Sequence, residues 1–118
     1  QNLALLQQAG ARAIVHSDSA NDIRRLNQEA AKARTAGEQF GVKFDDDTVL
    51  RWLTANPAWA LGIDSQTGTL EAGKMGDLVV WDKHPFSVYA KTKWVVIDGE
   101  VVFDRAKGPR VSDFEVFQ

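Results

Sequence analysis

Gly68 divides this chain by hydrophobic period: apolar residues recur at helical spacing before it and alternate at strand spacing after it. That switch demands two kinds of local structure in one short chain, an α/β region over 1–62 and a β region over 63–118. At 118 residues there is room for one modest core. A closed eight-fold barrel takes roughly 250 residues, so the chain is too short to form one alone.

The first residues, NLALLQQAG, read as the last turns of a helix, with Leu3, Leu6 and Ala9 on one face and Gly10 as its C-cap. ARAIVHSD then predicts a strand over about 12–18, apolar on both faces as in a buried parallel sheet. Ile23, Leu26, Ala30 and Ala33 form the stripe of a helix over about 20–36, with Arg25 and Glu29 as a flanking pair and Gly37 as its end. Asp45, Asp46 and Asp47 open a shorter helix over about 46–54, where first-turn acids complement the helix dipole. Asn56 as N-cap and Pro57 as first helical residue predict another over about 57–61, closed by Gly62.

In the second region, DLVVWD predicts a strand over about 77–82. KWVVIDGEVVFD predicts a hairpin with strands at about 93–98 and 101–104, turning at Asp98-Gly99. The tail, PRVSDFEVFQ, alternates weakly and is open between an edge strand and a terminal extension.

A formal charge of −2 gives no electrostatic reason to expect nucleic acid or a membrane surface as partner. No apolar run of about 18 residues is present, so no membrane span is expected. The absence of cysteine excludes disulfides and thiolate zinc sites. The compartment stays open between the cytoplasm and an exported location.

The densest run of recognisable positions lies at 54–80. Thr54, Asn56, Pro57, Ala58, Leu61 and Gly62 spell T-x-N-P-A-x-x-L-G, and Gly68, Leu70, Gly73, Lys74 and Asp77 to Val80 follow in G-x-L-x-x-G-K-x-x-D-L-V-V order. This run resembles the C-terminal signature of the amidohydrolase superfamily, metal-dependent hydrolases built on a TIM-like (β/α)8 barrel with a small β-sandwich. Gly76 stands where that family usually has alanine, Gly73 is expected to supply a turn and Lys74 an exposed charge. The resemblance implies that residues 1–62 are the last strand and helices of the barrel and 63–118 part of the sandwich. Both the missing initiator Met and a start inside a helix fit the tail of a longer enzyme. HSDSANDIRRLNQEAAKAR with TANPAWALGI looks most like the imidazolonepropionase-like and prolidase-like members, which cleave cyclic amide or peptide C–N bonds.

On the residues alone, Asp18 is a strand-end acid that caps the following helix or sits at a barrel mouth. The resemblance implies the second role, with Asp18 binding the catalytic metal and relaying protons. His16 shares its side of the strand and is open between a core histidine and a partner that orients Asp18. Ser17 lacks an elbow pattern, His84 before Pro85 reads as an exposed spacer, and Asp45 to Asp47 lack the alternating order of a calcium loop. The implied cofactor is a divalent metal, zinc in the family's pattern, acting on a small-molecule or peptide substrate. Two histidines fall short of the roughly three ligands a catalytic zinc takes, so the chain alone is expected to bind no metal tightly and to be inactive. The alternative is a non-catalytic packing or subunit-association module, and the unpaired strand at 12–18 predicts self-association or strand exchange.

Overall fold

A computed structural model describes residues 2–107, so the open reading of the 109–118 tail lies outside the described residues. Four helices come first: α1 (Asn2–Gln8), α2 (Leu26–Gln39), α3 (Asp46–Arg51) and α4 (Ala55–Ala60). Three strands follow: β1 (Leu78–Trp81), β2 (Thr92–Ile97) and β3 (Glu100–Asp104). They form one antiparallel sheet in the order β1-β2-β3. The α/β composition is as expected; the described β region is a single sheet, with no second layer among the described residues.

The core gathers on Trp52, which with Ala13, Ala30 and Val49 is fully or nearly fully buried. Its ring packs edge-on against Phe44 at 5.4 Å, and its indole N–H donates to Gln7 Oε1 at 3.0 Å. Its backbone carbonyl accepts from the Val15 N–H at 3.1 Å. One residue therefore joins α1, the 11–17 segment and the α2–α3 connection.

The strand expected at 12–18 does not form. The segment carries no sheet ladder among the described residues, because no neighbouring strand lies alongside it to exchange hydrogen bonds. It is held instead by the Val15–Trp52 bond and by Asn56, whose Nδ2 donates to the Ala13 carbonyl at 2.8 Å. Asn56 is thus a tie between segments, and Thr54 is the residue that stands at the N-cap of α4. Pro57 lies within the first turn, where its missing N–H has no helical acceptor to lose.

The helix expected from about residue 20 begins as a 3-10 turn at Asp22–Arg25 and becomes α-helical only at Leu26. Its stripe is shorter than its spacing suggests, since Ala30 is buried while Ile23 is 58% exposed. Glu29 pairs with Lys32 at 3.1 Å rather than with Arg25. Gly37 does not end the helix. It is buried within it, and a Cβ there would lie 2.7 Å from Ala4 Cβ, so the glycine lets α1 and α2 approach closely. The buried face of α1 accordingly carries Ala4 and part-buried Leu3, whereas Leu6 is 51% exposed.

The three strands coincide with the expected ones, with register shifts at Val80/Trp81 and Val95/Val96. Asp98 and Gly99 both take positive φ, 52° and 77°, as a type I′ turn requires. Gly76 fits against this turn: a Cβ there would lie 2.7 Å from Gly99 N, and its carbonyl accepts the Gly99 N–H at 2.8 Å. Alanine at that position has no room, so the departure from the family pattern is a packing feature.

Trp52→Ala should cost about 3–5 kcal/mol, a large part of the stability of so small a core. Gly37→Ala, which in an open helix stabilises by about 0.5–1 kcal/mol, should destabilise here because of Ala4. Urea unfolding followed by circular dichroism checks both; a stabilised Gly37→Ala chain would refute the close α1–α2 contact.

Candidate functional site

His16 and Asp18 come together where the 11–17 segment meets the turn preceding α2. His16 Nδ1 lies 3.4 Å from Asp18 Oδ1, and the side chains are 74% and 96% exposed. Ser17 between them turns back locally: its hydroxyl donates to the Ser19 carbonyl at 2.6 Å and accepts the Ser19 N–H at 3.1 Å. This Ser17–Ser19 turn ends the segment and leaves Asp18 projecting, with no cap bond to the helix that follows. His16 is neither buried nor a core histidine.

As a metal site the pair is partial. An anionic oxygen and an imidazole nitrogen are the right donor types for zinc, but about three protein ligands are needed. Among the described residues no group of three histidine, cysteine or acidic side chains is placed to hold a metal. Two open clefts of about 460 and 490 Å³ are lined by other residues, and neither includes His16 or Asp18.

His84 has a larger role than a pre-proline spacer. Its Nδ1 accepts the Phe86 N–H at 3.2 Å, which leaves Nε2 as the protonated nitrogen in the neutral ring. Nε2 lies 2.9 Å from Asp46 Oδ2, while Arg34 donates to Asp46 Oδ1. One carboxylate on α3 thereby holds α2 and the 84–87 loop together. The Arg34 hydrogen bond, followed by that from His84, keeps the Asp46 carboxyl below the usual carboxylate range. The sequence offered only a weak signal for this link, because 38 residues separate its two ends. Asp45 caps α3, accepting the Thr48 N–H at 2.8 Å, as its place before that helix suggested.

Lys74 is not the exposed charge expected. Its side chain is 15% exposed and its Nζ donates to the Asp64 carbonyl, Thr69 Oγ1 and Glu71 Oε2 at 2.7, 2.7 and 2.8 Å. The lysine and then Thr69 hold the Glu71 carboxyl below its ordinary range. The conspicuous G-K of the sequence is therefore the clip of the loop joining α4 to the sheet, with Gly73 at φ 88° making its turn.

A sequence profile described as the amidohydrolase family matches residues 1–104, and the chain belongs to that family. Among curated relatives, urease subunit alpha 2 of Streptomyces coelicolor is 37% identical over 80% of this chain and 18% of its own length. Urease subunit alpha of Ureaplasma parvum is 31% identical over 92% of this chain and 20% of its own. Among solved structures, an amidohydrolase from Thermotoga maritima aligns with TM-score 0.70 and 33% identity over 88% of this chain and 26% of that one. An adenosine deaminase from Xanthomonas campestris with bound zinc aligns with TM-score 0.71 and 25% identity over 86% of this chain and 28% of that one. The chain thus spans about a fifth of the length of these curated relatives.

The lowered Asp46 carboxyl carries a definite sign. Its folded-state proton affinity is below the unfolded one, so its contribution is complete above the unfolded value of about 4 and is lost as pH falls through the folded value. Asp46→Asn should therefore destabilise the chain at pH 6, and the difference from wild type should narrow as the pH falls below about 4. Urea midpoints across that range test it; a constant difference would remove the link.

Proposed function

We propose that this chain is the C-terminal portion of a metal-dependent amidohydrolase that hydrolyses C–N bonds, with Asp18 carrying a metal-ligand and proton-transfer role. The observation that carries the reading is Asp18 itself: family membership over residues 1–104 together with a projecting carboxylate beside an imidazole, directly before the α2 turn. In this reading residues 1–62 contribute the last unit of a (β/α)8 barrel and 63–118 part of a β-sandwich, the remaining ligands coming from residues outside this chain. A bound zinc would lower the proton affinity of water and polarise the substrate carbonyl. Asp18 takes a proton from the attacking water at a carboxylate oxygen and returns it to the leaving nitrogen. His16, 3.4 Å away, is a positioning residue that fixes the carboxylate's direction.

The relatives named urease and adenosine deaminase support C–N chemistry and, through the zinc in one of them, a divalent metal. The narrower proposal of a cyclic amide or peptide substrate rests on the 16–34 and 54–63 sequence runs, and substrate profiling of the enzyme containing this chain against urea, adenosine, cyclic amides and dipeptides decides it.

In that enzyme Asp18→Asn should reduce turnover by about 10²–10⁴-fold with the fold retained, and His16→Gln by about tenfold. Near-normal turnover in Asp18→Asn removes Asp18 from catalysis. The chelator-washed 118-residue chain should be inactive and hold no stoichiometric zinc. Stoichiometric zinc lost on Asp18→Ala would sink that expectation.

One observation favours the second reading, a packing or association module: the sheet leaves Val79, Trp94, Ile97 and Val101 40–50% exposed. Apolar exposure on an uncovered sheet promotes pairing with another copy. Light scattering should show concentration-dependent self-association of the isolated chain. A monodisperse monomer with low dye binding would count against it.

A further inference from the structure

Between the start of α2 and the open side of the sheet lies a cleft of about 490 Å³ whose wall is cationic. Arg24, Arg25 and Lys32 line it from the helical side, Lys91 and Arg105 from the sheet side, and Trp81 contributes an aromatic surface. The chain as a whole carries a net charge of −2, so five cations around one concavity are a local concentration and not a reflection of composition.

Among the described residues, four of the five have no carboxylate within ion-pairing distance; only Lys32 has one, Glu29 at 3.1 Å. Two acids of the sheet, Asp82 and Asp104, each turn one oxygen to a backbone amide and form no ion pair with the cleft's cations among the described residues. Asp82 Oδ1 accepts the Lys91 N–H at 2.7 Å, and Asp104 Oδ1 accepts the Ala106 N–H at 3.0 Å. Arg105 is fixed from behind, its Nε donating to the Thr92 carbonyl at 2.6 Å, which leaves the terminal nitrogens of its fork available. The walls are also held in place. Asn27 Nδ2 donates to the Pro85 carbonyl at 2.7 Å and Gln28 Nε2 to the Ser87 carbonyl at 2.9 Å, pinning α2 to the loop beyond β1. Like charges gathered around one concavity repel, and a multivalent anion relieves that repulsion while accepting charge-assisted hydrogen bonds. The volume is within the range of a small-ligand site.

We propose that this cleft binds a small molecule carrying several phosphate charges, with Arg24, Arg25, Lys91 and Arg105 as its cationic contacts and Trp81 as an apolar wall. The proposal rests on the charge and shape of the cleft and is independent of the hydrolase reading.

The test is calorimetric titration of the full chain with sodium tripolyphosphate and, in parallel, with adenosine triphosphate, at low and at moderate salt. Saturable one-to-one binding that weakens with salt is expected. Tighter binding of the nucleotide identifies a base stacked on Trp81; equal binding identifies free oligophosphate. The side chains of Arg25 and Lys91 donate no hydrogen bond within the described fold, so Arg25→Gln/Lys91→Gln should stay folded and lose about tenfold in affinity. The charge-matched control Lys43→Gln/Arg51→Gln, outside the cleft, should retain it. The proposal is overturned by absence of saturable binding, by equal loss in both double variants, or by a hexaglutamate peptide binding as tightly as tripolyphosphate.

Discussion

The burial of Trp52 is the constraint on which the helical region depends. It joins three separate segments: its ring meets Phe44, its indole N–H reaches α1 and its carbonyl holds the 11–17 segment. A tryptophan buries on the order of 200 Å² of surface, and its lone polar atom needs a partner when dry. Gln7 supplies that partner, which fixes the height of α1 against α3. The close approach at Gly37 then sets the distance between α1 and α2. Packing and one hydrogen bond thus determine an arrangement that no backbone ladder enforces.

The sheet depends on a different kind of connection. Phe86 alone from the 84–87 loop reaches the buried cluster, and the remaining ties are polar. Asn27 and Gln28 bind carbonyls of that loop, and His84 reaches Asp46. Hydrogen bonds of this kind contribute roughly 0.5–1.5 kcal/mol each, more when one partner is charged. The β region is therefore positioned mainly by directional contacts, while much of its apolar surface stays uncovered.

The sequence was legible where the controlling physics is local. Period two, β-branched residues and Asp98-Gly99 placed all three strands, because the turn and the alternation act within a few residues. Asp45 was legible as a helix start for the same reason. The errors arose where a distant partner decides. Gly37 looks like a helix end until Ala4 is beside it, and Lys74 looks exposed until Asp64, Thr69 and Glu71 surround its ammonium. Asn56 looks like a cap until the Ala13 carbonyl claims its amide. At 12–18 the residues have the composition of a buried strand, but composition does not supply the neighbours that a ladder requires.

The candidate site shows the same division in its chemistry. Strand spacing put His16 and Asp18 on one side; no strand forms there, and the two lie 3.4 Å apart beside the Ser17–Ser19 turn instead. Spacing carried no information about burial, which governs how strongly a carboxylate interacts with a metal or a proton. Exposed to water, Asp18 has a high-dielectric environment that weakens every charge interaction it makes. For Asp18 to transfer protons with the efficiency of an enzyme, the surrounding protein must exclude water and hold the carboxylate against a fixed partner. Among the described residues the 11–17 segment lacks sheet neighbours, and Asp18 lacks that enclosure. Under the barrel reading proposed above, docking of flanking strands would meet both needs at once. Pairing the 12–18 backbone would then also enclose the carboxylate at its end.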